Sequence, residues 1–367
     1  MNEENLSLLK LFLSDDLGPV RCFRLLSVFK SAKAVLAAKK SDLTAVEGIS
    51  EKTADNIKNA LESDKAEKEL ELAAANKVDI LLFNDDRYPD SLRDFGDRPP
   101  VLYVKGTLKE RDAASISIVG SRQATNYGKS VTAEFAGWFA QRGITIVSGL
   151  ARGVDTEAHV TALKEKGRTI AVLGNGVLVT YPPENTVLQT KIPESGALVS
   201  EFPLLRQPDK TTFPRRNRII AMLSKATLVT EASQSSGALI TAKMCAEYGK
   251  DVFAVPGSIY SIFSKGANSL IKQGAVPVTS PEDMAEHLSN LPFGETAAQD
   301  ETPKPQSEDE IEQSVLDFIS RHDEGVNLDM IVQELNICVS EVAAIILKLE
   351  LSSRIRSMSD NMYVKVR

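Results

Sequence analysis

The stretch SISIVGSRQATNYGKS, residues 115–130, poses the central question of this chain: an apolar run of strand length feeds a glycine loop that ends in Gly128-Lys129-Ser130. That ending is the tail of the Walker-type loop G-x-x-x-x-G-K-[ST], whose backbone amides cradle the phosphates of a nucleotide. The register excludes it. The motif needs a glycine where Gln123 stands, and the available one, Gly120, makes the loop too long. What survives is a strand-to-helix loop, Gly120-Ser121-Arg122, whose amides and cation suit a phosphate, followed by a helix start with Lys129 toward solvent.

The same grammar recurs downstream. Short β-rich runs, SISIV, ITIVS, TIAVL, ALVSE, ATLVT and DVFAV, give way to glycine, proline or a polar turn and then to helical patterns such as GALITAKMCAEYG. Such alternation predicts a parallel sheet covered by helices. Residues 78–290 therefore read as a doubly wound, Rossmann-like α/β domain, whose ligands bind outside the carboxyl ends of the strands.

The flanks differ in texture. Residues 1–77 read as an all-helical domain from the apolar spacing of LSLLKLFLS and CFRLLSVFKSAKAVLAA. Within it, TAVEGISEKTADNIKNA resembles a helix-hairpin-helix, with Ser50 replacing the second hairpin glycine. Both phosphate contact through the hairpin amides and a tight turn between packed helices fit that pattern. Residues 291–310, rich in Pro, Glu, Asp and Ser, predict a flexible linker. Residues 311–367 read as three helices and a β-wing, a winged helix. Its third helix sets Glu341 and Glu350 beside Lys348, poor equipment for phosphate contact, so protein interaction or packing stands beside DNA reading.

Composition narrows the function classes. The 367 residues are 43% hydrophobic and 25% charged, ordinary for a globular chain long enough for two or three domains. The formal charge of -7 means that a nucleic-acid role must rest on a local basic site. Cys22, Cys245 and Cys338 lie far apart without CxxC spacing, which points to a reducing compartment without a disulfide framework or zinc site. The N-terminus MNEENLSLLK is unlike a signal peptide, and no run approaches the roughly 20 apolar residues of a membrane span, so a cytoplasmic location is expected. His159, His287 and His322 are the only histidines and form no metal-ligand spacing; neither a G-x-S-x-G elbow nor a G-x-G-x-x-G fingerprint is present. The expectation is no metal, no cofactor and no enzymatic chemistry.

Three constellations remain. Strand-end loops carry Gly120-Ser121-Arg122, then Gly149, Arg152, Gly153 and Asp155 with His159 one turn on, then Gly174-Asn175-Gly176. In a parallel sheet these loops share one edge, so glycine amides and two arginines converge there on a pocket suited to phosphate. The segment QPDKTTFPRRNRIIAMLS, residues 207–224, surrounds Phe213 with Lys210, Arg215, Arg216, Asn217 and Arg218. Cations interleaved with an aromatic suit single-stranded nucleic acid, because a base stacked on a ring contributes about 1–3 kcal/mol. Cations at a helix start also oppose the macrodipole, a placement that an anion would compensate. The third constellation, Ser236 and Gly237 with Asn268 further on, fits a second anion-binding loop or a plain helix cap.

Taken together, YPDSL at 88–92, RPPVLYVKG at 98–106, IVGSR at 118–122, SGLARGVDTEAH at 148–159, FPRRNRIIA at 213–221, SGALITA at 236–242, FAVPG at 253–257 and GANSLIKQGA at 266–275 closely resemble the DNA-processing protein A (DprA or Smf) family. The flanking modules look like the SAM-like domain and winged helix often fused to it. The resemblance implies an extended Rossmann fold that dimerises through that domain. It implies a bacterial cytoplasmic protein, not an enzyme, that binds incoming single-stranded DNA in natural transformation and recombination, protects it and helps load the recombinase RecA. It also implies DNA contacts at Arg122, Lys210 and Phe213, with Arg215, Asn217 and Arg218 beside them. One basic contact of some members is missing, because Pro183 and Glu184 occupy its place. The alternative is a nucleotide enzyme of the LOG-type phosphoribohydrolase class, but EASQSSGALITA stands where those enzymes carry PGGxGTxxE. A third possibility is an interaction hub with acidic helical ends.

Overall fold

A computed structural model describes residues 2–288, 291, 308–320, 322, 326–335, 339–352, 354–357 and 362–365. The expected linker, apart from Leu291 and residues 308–310, lies outside them, as does Cys338. The chain divides into two units, Met1–Ala297 and Ala298–Arg367.

The first unit opens with six helices: α1 (Glu3–Phe12), α2 (Pro19–Phe29), α3 (Ala32–Ala37), α4 (Lys40–Thr44), α5 (Glu51–Glu62) and α6 (Lys65–Ala75). Their starts are marked by residues that satisfy orphan amides: Asn2 accepts from the Asn5 N–H at 2.8 Å, Ser31 from Ala34 at 3.1 Å and Ser50 from Thr53 at 3.1 Å. The hairpin turn between α4 and α5 pivots on Gly48 at φ +83°, a left-handed conformation that glycine adopts without a Cβ penalty. The apolar faces bury Leu9, Leu11, Leu25, Val35 and Ile57, and this core continues into Val101, Tyr103, Leu173 and Leu204 of the sheet domain. Burial at Cys22 pushes its thiol up to about 12 and leaves it inert packing.

The sheet domain runs β1 (Val78–Leu82), α7 (Asp90–Arg93), β2 (Val101–Gly106), β3 (Ser115–Val119), α8 (Asn126–Gln141), β4 (Thr145–Ser148), α9 (Val154–Lys164), β5 (Thr169–Val172), α10 (Thr186–Ser195), β6 (Ala197–Ser200), α11 (Thr212–Leu223), β7 (Ala226–Val229), α12 (Ala238–Glu247), β8 (Asp251–Ala254), α13 (Lys265–Lys272), β9 (Val276–Pro277) and α14 (Pro281–His287). The strand order is β1-β2-β6-β5-β4-β3-β7-β8-β9. From β6 to β9 every pairing is parallel, with Ile116 opposite both Ile146 and Ala226. The six expected strands are all present. The structure adds β1 and β2 as an antiparallel flank and β9 as a two-residue edge. Residues of β3 to β7 are buried throughout, as expected for strands covered on both faces. Strand order reverses at β3, whose neighbours are β4 and β7, so the β3/β7 border is the topological switch point.

The second unit contains α15 (Glu308–Ser320), β10 (Val326–Asn327), α16 (Leu328–Leu335), α17 (Val339–Leu351), β11 (Ile355–Ser357) and β12 (Met362–Lys365). Three helices and a three-stranded β10-β12-β11 wing close over Val315, Ile319, Ile331, Val342 and Ile346. Glu312 pairs with Lys348 at 2.6 Å and with Arg354 at 2.8 Å. Two cations of this module are thus engaged by an acid. No helix among the described residues is long and apolar enough to cross a membrane.

Candidate nucleic-acid interface

The quoted stretch lies at the switch point, but an acid already fills it. Glu231, 3% exposed at the end of β7, accepts from the Thr125 N–H at 2.8 Å and from the Thr125 hydroxyl at 2.7 Å. Its own carbonyl accepts from the Ser121 N–H at 2.7 Å. A Cβ on Gly128 would strike the carboxylate, and one on Gly120 would strike Val154 and the Glu231 carbonyl. Carboxylates are favoured at helix N-termini, and here Glu231 takes the place at the start of α8 that a phosphate takes in nucleotide-binding loops. Ser121 is buried, and its Oγ accepts from the Gln123 N–H at 3.1 Å. Gly120 and Ser121 are therefore packing and turn residues here, whereas Arg122 alone of the triplet is exposed.

One strand over, the edge is built differently. The α11 segment lays Phe213 and Arg216 across the carboxyl ends of β4 and β5. A Cβ on Gly149 would collide with the Arg216 guanidinium and one on Gly174 with the Phe213 ring, so these glycines make room for side chains of α11. Arg216 is buried, donating to the carbonyls of Gly149 and Val172 and, at 3.1 Å, to Asn217 Oδ1. Burial lowers its pKa to about 10 against the opposing pull of Asp155. Burial likewise raises Asp155, which Arg216 counters and which accepts the N–H groups of Gly149 at 3.1 Å and Ala151 at 3.3 Å. His159 is wholly buried, with Nδ1 2.7 Å from the Thr169 hydroxyl. Burial, helped by Arg216, drives its pKa to about 3, so it is a neutral core histidine rather than a ligand contact. The expected compensating anion for the basic helix start is thus partly internal.

The remaining arginines divide by exposure. Arg218 is buried, donating to the Glu201 carboxylate and to the Asp97 carbonyl at 2.6 Å. Asn217, also buried, donates to the Gly237 carbonyl at 3.3 Å. Both expected DNA contacts are turned inward as braces. Arg215 is half exposed, 3.6 Å from Glu201 and over the Phe202 ring at 5.0 Å. Arg152 is held at 2.8 Å by Glu184, the acid noted as the departure from the family pattern. Gly153, at φ +75°, lets its chain press on the Ser121 carbonyl, which accepts from the Val154 N–H at 3.1 Å. In the second anion-loop candidate, Ser236 accepts from Ala238 at 3.3 Å, and Asn268 exchanges hydrogen bonds with Gly257 at 2.9 and 3.2 Å. Gly237 stands open. Asn268 is consumed by its own loop.

What faces solvent is a compact platform. The Arg122 guanidinium lies 5.1 Å from the centre of the partly exposed Phe213 ring, and the Tyr181 ring lies 5.6 Å from it at a tilt of 41°. Lys210 is exposed one turn earlier, with no ion pair among the described residues. Two rings and the exposed Arg122 cation above a floor that is already neutralised can stack a base and hold a phosphate, and Lys210 is exposed three residues before Phe213 in the chain. Sequence reasoning missed Tyr181. An aromatic in the loop after Gly174-Asn175-Gly176 was the available signal.

Comparisons with known proteins agree with this architecture. The profile of DNA recombination-mediator protein A matches residues 79–289, that of a SAM-like helix-hairpin-helix tandem residues 11–63, and that of the DprA winged helix domain residues 299–361. The chain is 40% identical to protein Smf of Escherichia coli (strain K12) over 285 residues, covering 76% of this chain and 75% of that one. It is similar to the X-ray structure of DNA processing protein A from Streptococcus pneumoniae, with a TM-score of 0.68 at 33% identity over 78% of this chain and 98% of that one. It is also similar to DNA processing protein A from Helicobacter pylori, reported for its single-stranded DNA binding mode, with a TM-score of 0.53 at 29% identity over 58% and 96% of the two chains. With the sheet, both flanking modules and more than half the length matched, the chain belongs to the DNA recombination-mediator protein A family, DprA/Smf.

Proposed function

We propose that this protein binds single-stranded DNA through Arg122, Lys210 and Phe213, and that it serves DNA processing in natural transformation and recombination by protecting the incoming strand and helping to load RecA. The observation that carries the reading is the exposed Arg122 guanidinium against the Phe213 ring, with the Tyr181 ring beside it. Stacking on those rings requires unpaired bases, which favours a single strand over a duplex. The name of the Helicobacter pylori relative supports the same ligand. Dimerisation through the sheet domain and a cytoplasmic location belong to this proposal on family grounds. So does the absence of catalysis, supported by Glu231 lying where a nucleotide phosphate would sit at the switch point.

The test is binding of a fluorescent oligothymidylate and of a duplex of equal length to the full chain. Single-strand affinity should exceed duplex affinity at least tenfold. Equal affinities overturn the reading, and hydrolysis of AMP by the purified protein revives the phosphoribohydrolase alternative.

A further inference from the structure

The first turn of α11 separates two concavities. Phe213 and Arg216 face the strand ends, whereas Thr211, Thr212 and Arg215 line a cleft of about 770 Å³. The far wall of that cleft belongs to the helical module: the loop after α1, Arg21 of α2, and Lys52 and Asn56 of α5. These are elements of the helix-hairpin-helix region, so two modules meet over one cleft, whose Thr212 and Arg215 alternate along α11 with the Phe213 and Arg216 of the strand-end concavity.

The charges in the cleft are unevenly committed. Glu201 is fully buried and taken by Arg218 and Arg215. Asp16 is taken by Lys52 at 2.6 Å, and the exposed Asp15 lies 3.8 Å from Lys65. Arg21 is partly buried, its stem beside the Gly48 turn; its guanidinium makes no hydrogen bond or close ion pair among the described residues, and its charge, after that of Lys52, helps hold the Asp16 carboxyl below its usual range. Lys52 and Arg215 keep 77% and 46% of their side chains exposed, so a phosphate can compete for them. A partly buried guanidinium that shares Asp16 with Lys52 at long range, beside the exchangeable Lys52 and Arg215, fits the backbone of the same strand.

We propose that this cleft is a second segment of the single-stranded DNA track, in which Arg21 and Lys52 of the helical module hold phosphates of nucleotides beyond those on the Phe213 platform. The proposal rests on the single-stranded DNA reading above and extends it to the helical module. A strand of a few nucleotides can occupy the platform alone, whereas a longer one reaches both, so strand length separates platform from cleft.

The test compares the full chain with its Arg21→Gln, Lys52→Gln and doubly substituted forms, using oligothymidylates of about 5 and about 20 nucleotides. The double variant should bind the short probe within twofold of wild type and the long probe about tenfold more weakly. Its slope of log K against log salt on the long probe should be shallower by about 1.4, two phosphate contacts at about 0.7 each. Because Arg21 packs against the hairpin turn, the exposed Lys52→Gln is the control for folding, and by itself should lower the slope by about 0.7. Long-probe affinity and slope equal to wild type in Lys52→Gln and the double variant overturn the second segment. Phe213→Ala keeps the two readings apart: if it leaves short-probe binding intact, the platform fails whatever the cleft does.

Discussion

Two neighbouring crevices on one sheet edge make opposite use of similar ingredients. At the β3/β7 switch point, a glycine loop and a helix start are closed by Glu231, whose carboxylate binds Thr125 through two hydrogen bonds. Over β4 and β5, glycines of the same kind admit Arg216 and Phe213, and the surface above them leaves Arg122 exposed against the ring. Glycine amides at a strand end thus define a space, and the side chain that enters it decides the chemistry. In one crevice it is an acid that completes a helix cap; in the other it is a ring that can take a base.

Substitutions that break this contrast should differ in what they damage. Glu231→Ala leaves the partly buried N–H and hydroxyl of Thr125, the residue that caps α8, without their acceptor and opens a void, so the unfolding free energy should fall by about 2–4 kcal/mol, read by urea denaturation. Its affinity for oligothymidylate should stay within twofold of wild type below the transition. Phe213→Ala should do the reverse: stability changes little, while binding of single-stranded DNA weakens by about 1–3 kcal/mol, read by fluorescence anisotropy. Arg122→Ala should weaken binding roughly tenfold and reduce the salt slope by about 0.7, a change that Phe213→Ala should not produce. The smallest effect belongs to the rim. Glu184→Gln frees Arg152 from an exposed ion pair worth about 0–1 kcal/mol, so binding should tighten about two- to threefold with a steeper salt slope.

Much of the fold was legible because β3 to β8 are compact apolar runs punctuated by turn residues. The antiparallel β1-β2 flank was not, because no local pattern in VDILL or VLYVKG states its pairing direction, and β9 is only two residues long. In the site, Arg122, Lys210 and Phe213 were legible as surface chemistry. The inward roles of Arg216, Asn217 and Arg218 were hidden because their acceptors, such as the carbonyls of Gly149 and Val172, lie far away in sequence. Glu231 stands 106 residues from the Thr125 amide it binds. A buried residue that satisfies a distant backbone group leaves no periodicity or spacing for a reader of one chain. The tight packing at Gly120 and Gly149 was equally silent, since a glycine that admits a side chain looks in sequence like one that admits a phosphate.

The central claim is that the strand lies on the Phe213 platform and not in the loop that first suggested a nucleotide. Photocrosslinking of a 5-iodouracil-substituted oligothymidylate to the full chain, followed by mass spectrometry of the peptides, tests it most directly. The account predicts adducts at Phe213 or Tyr181. Adducts confined to residues 123–130 or 231–242, at the switch point, would contradict it.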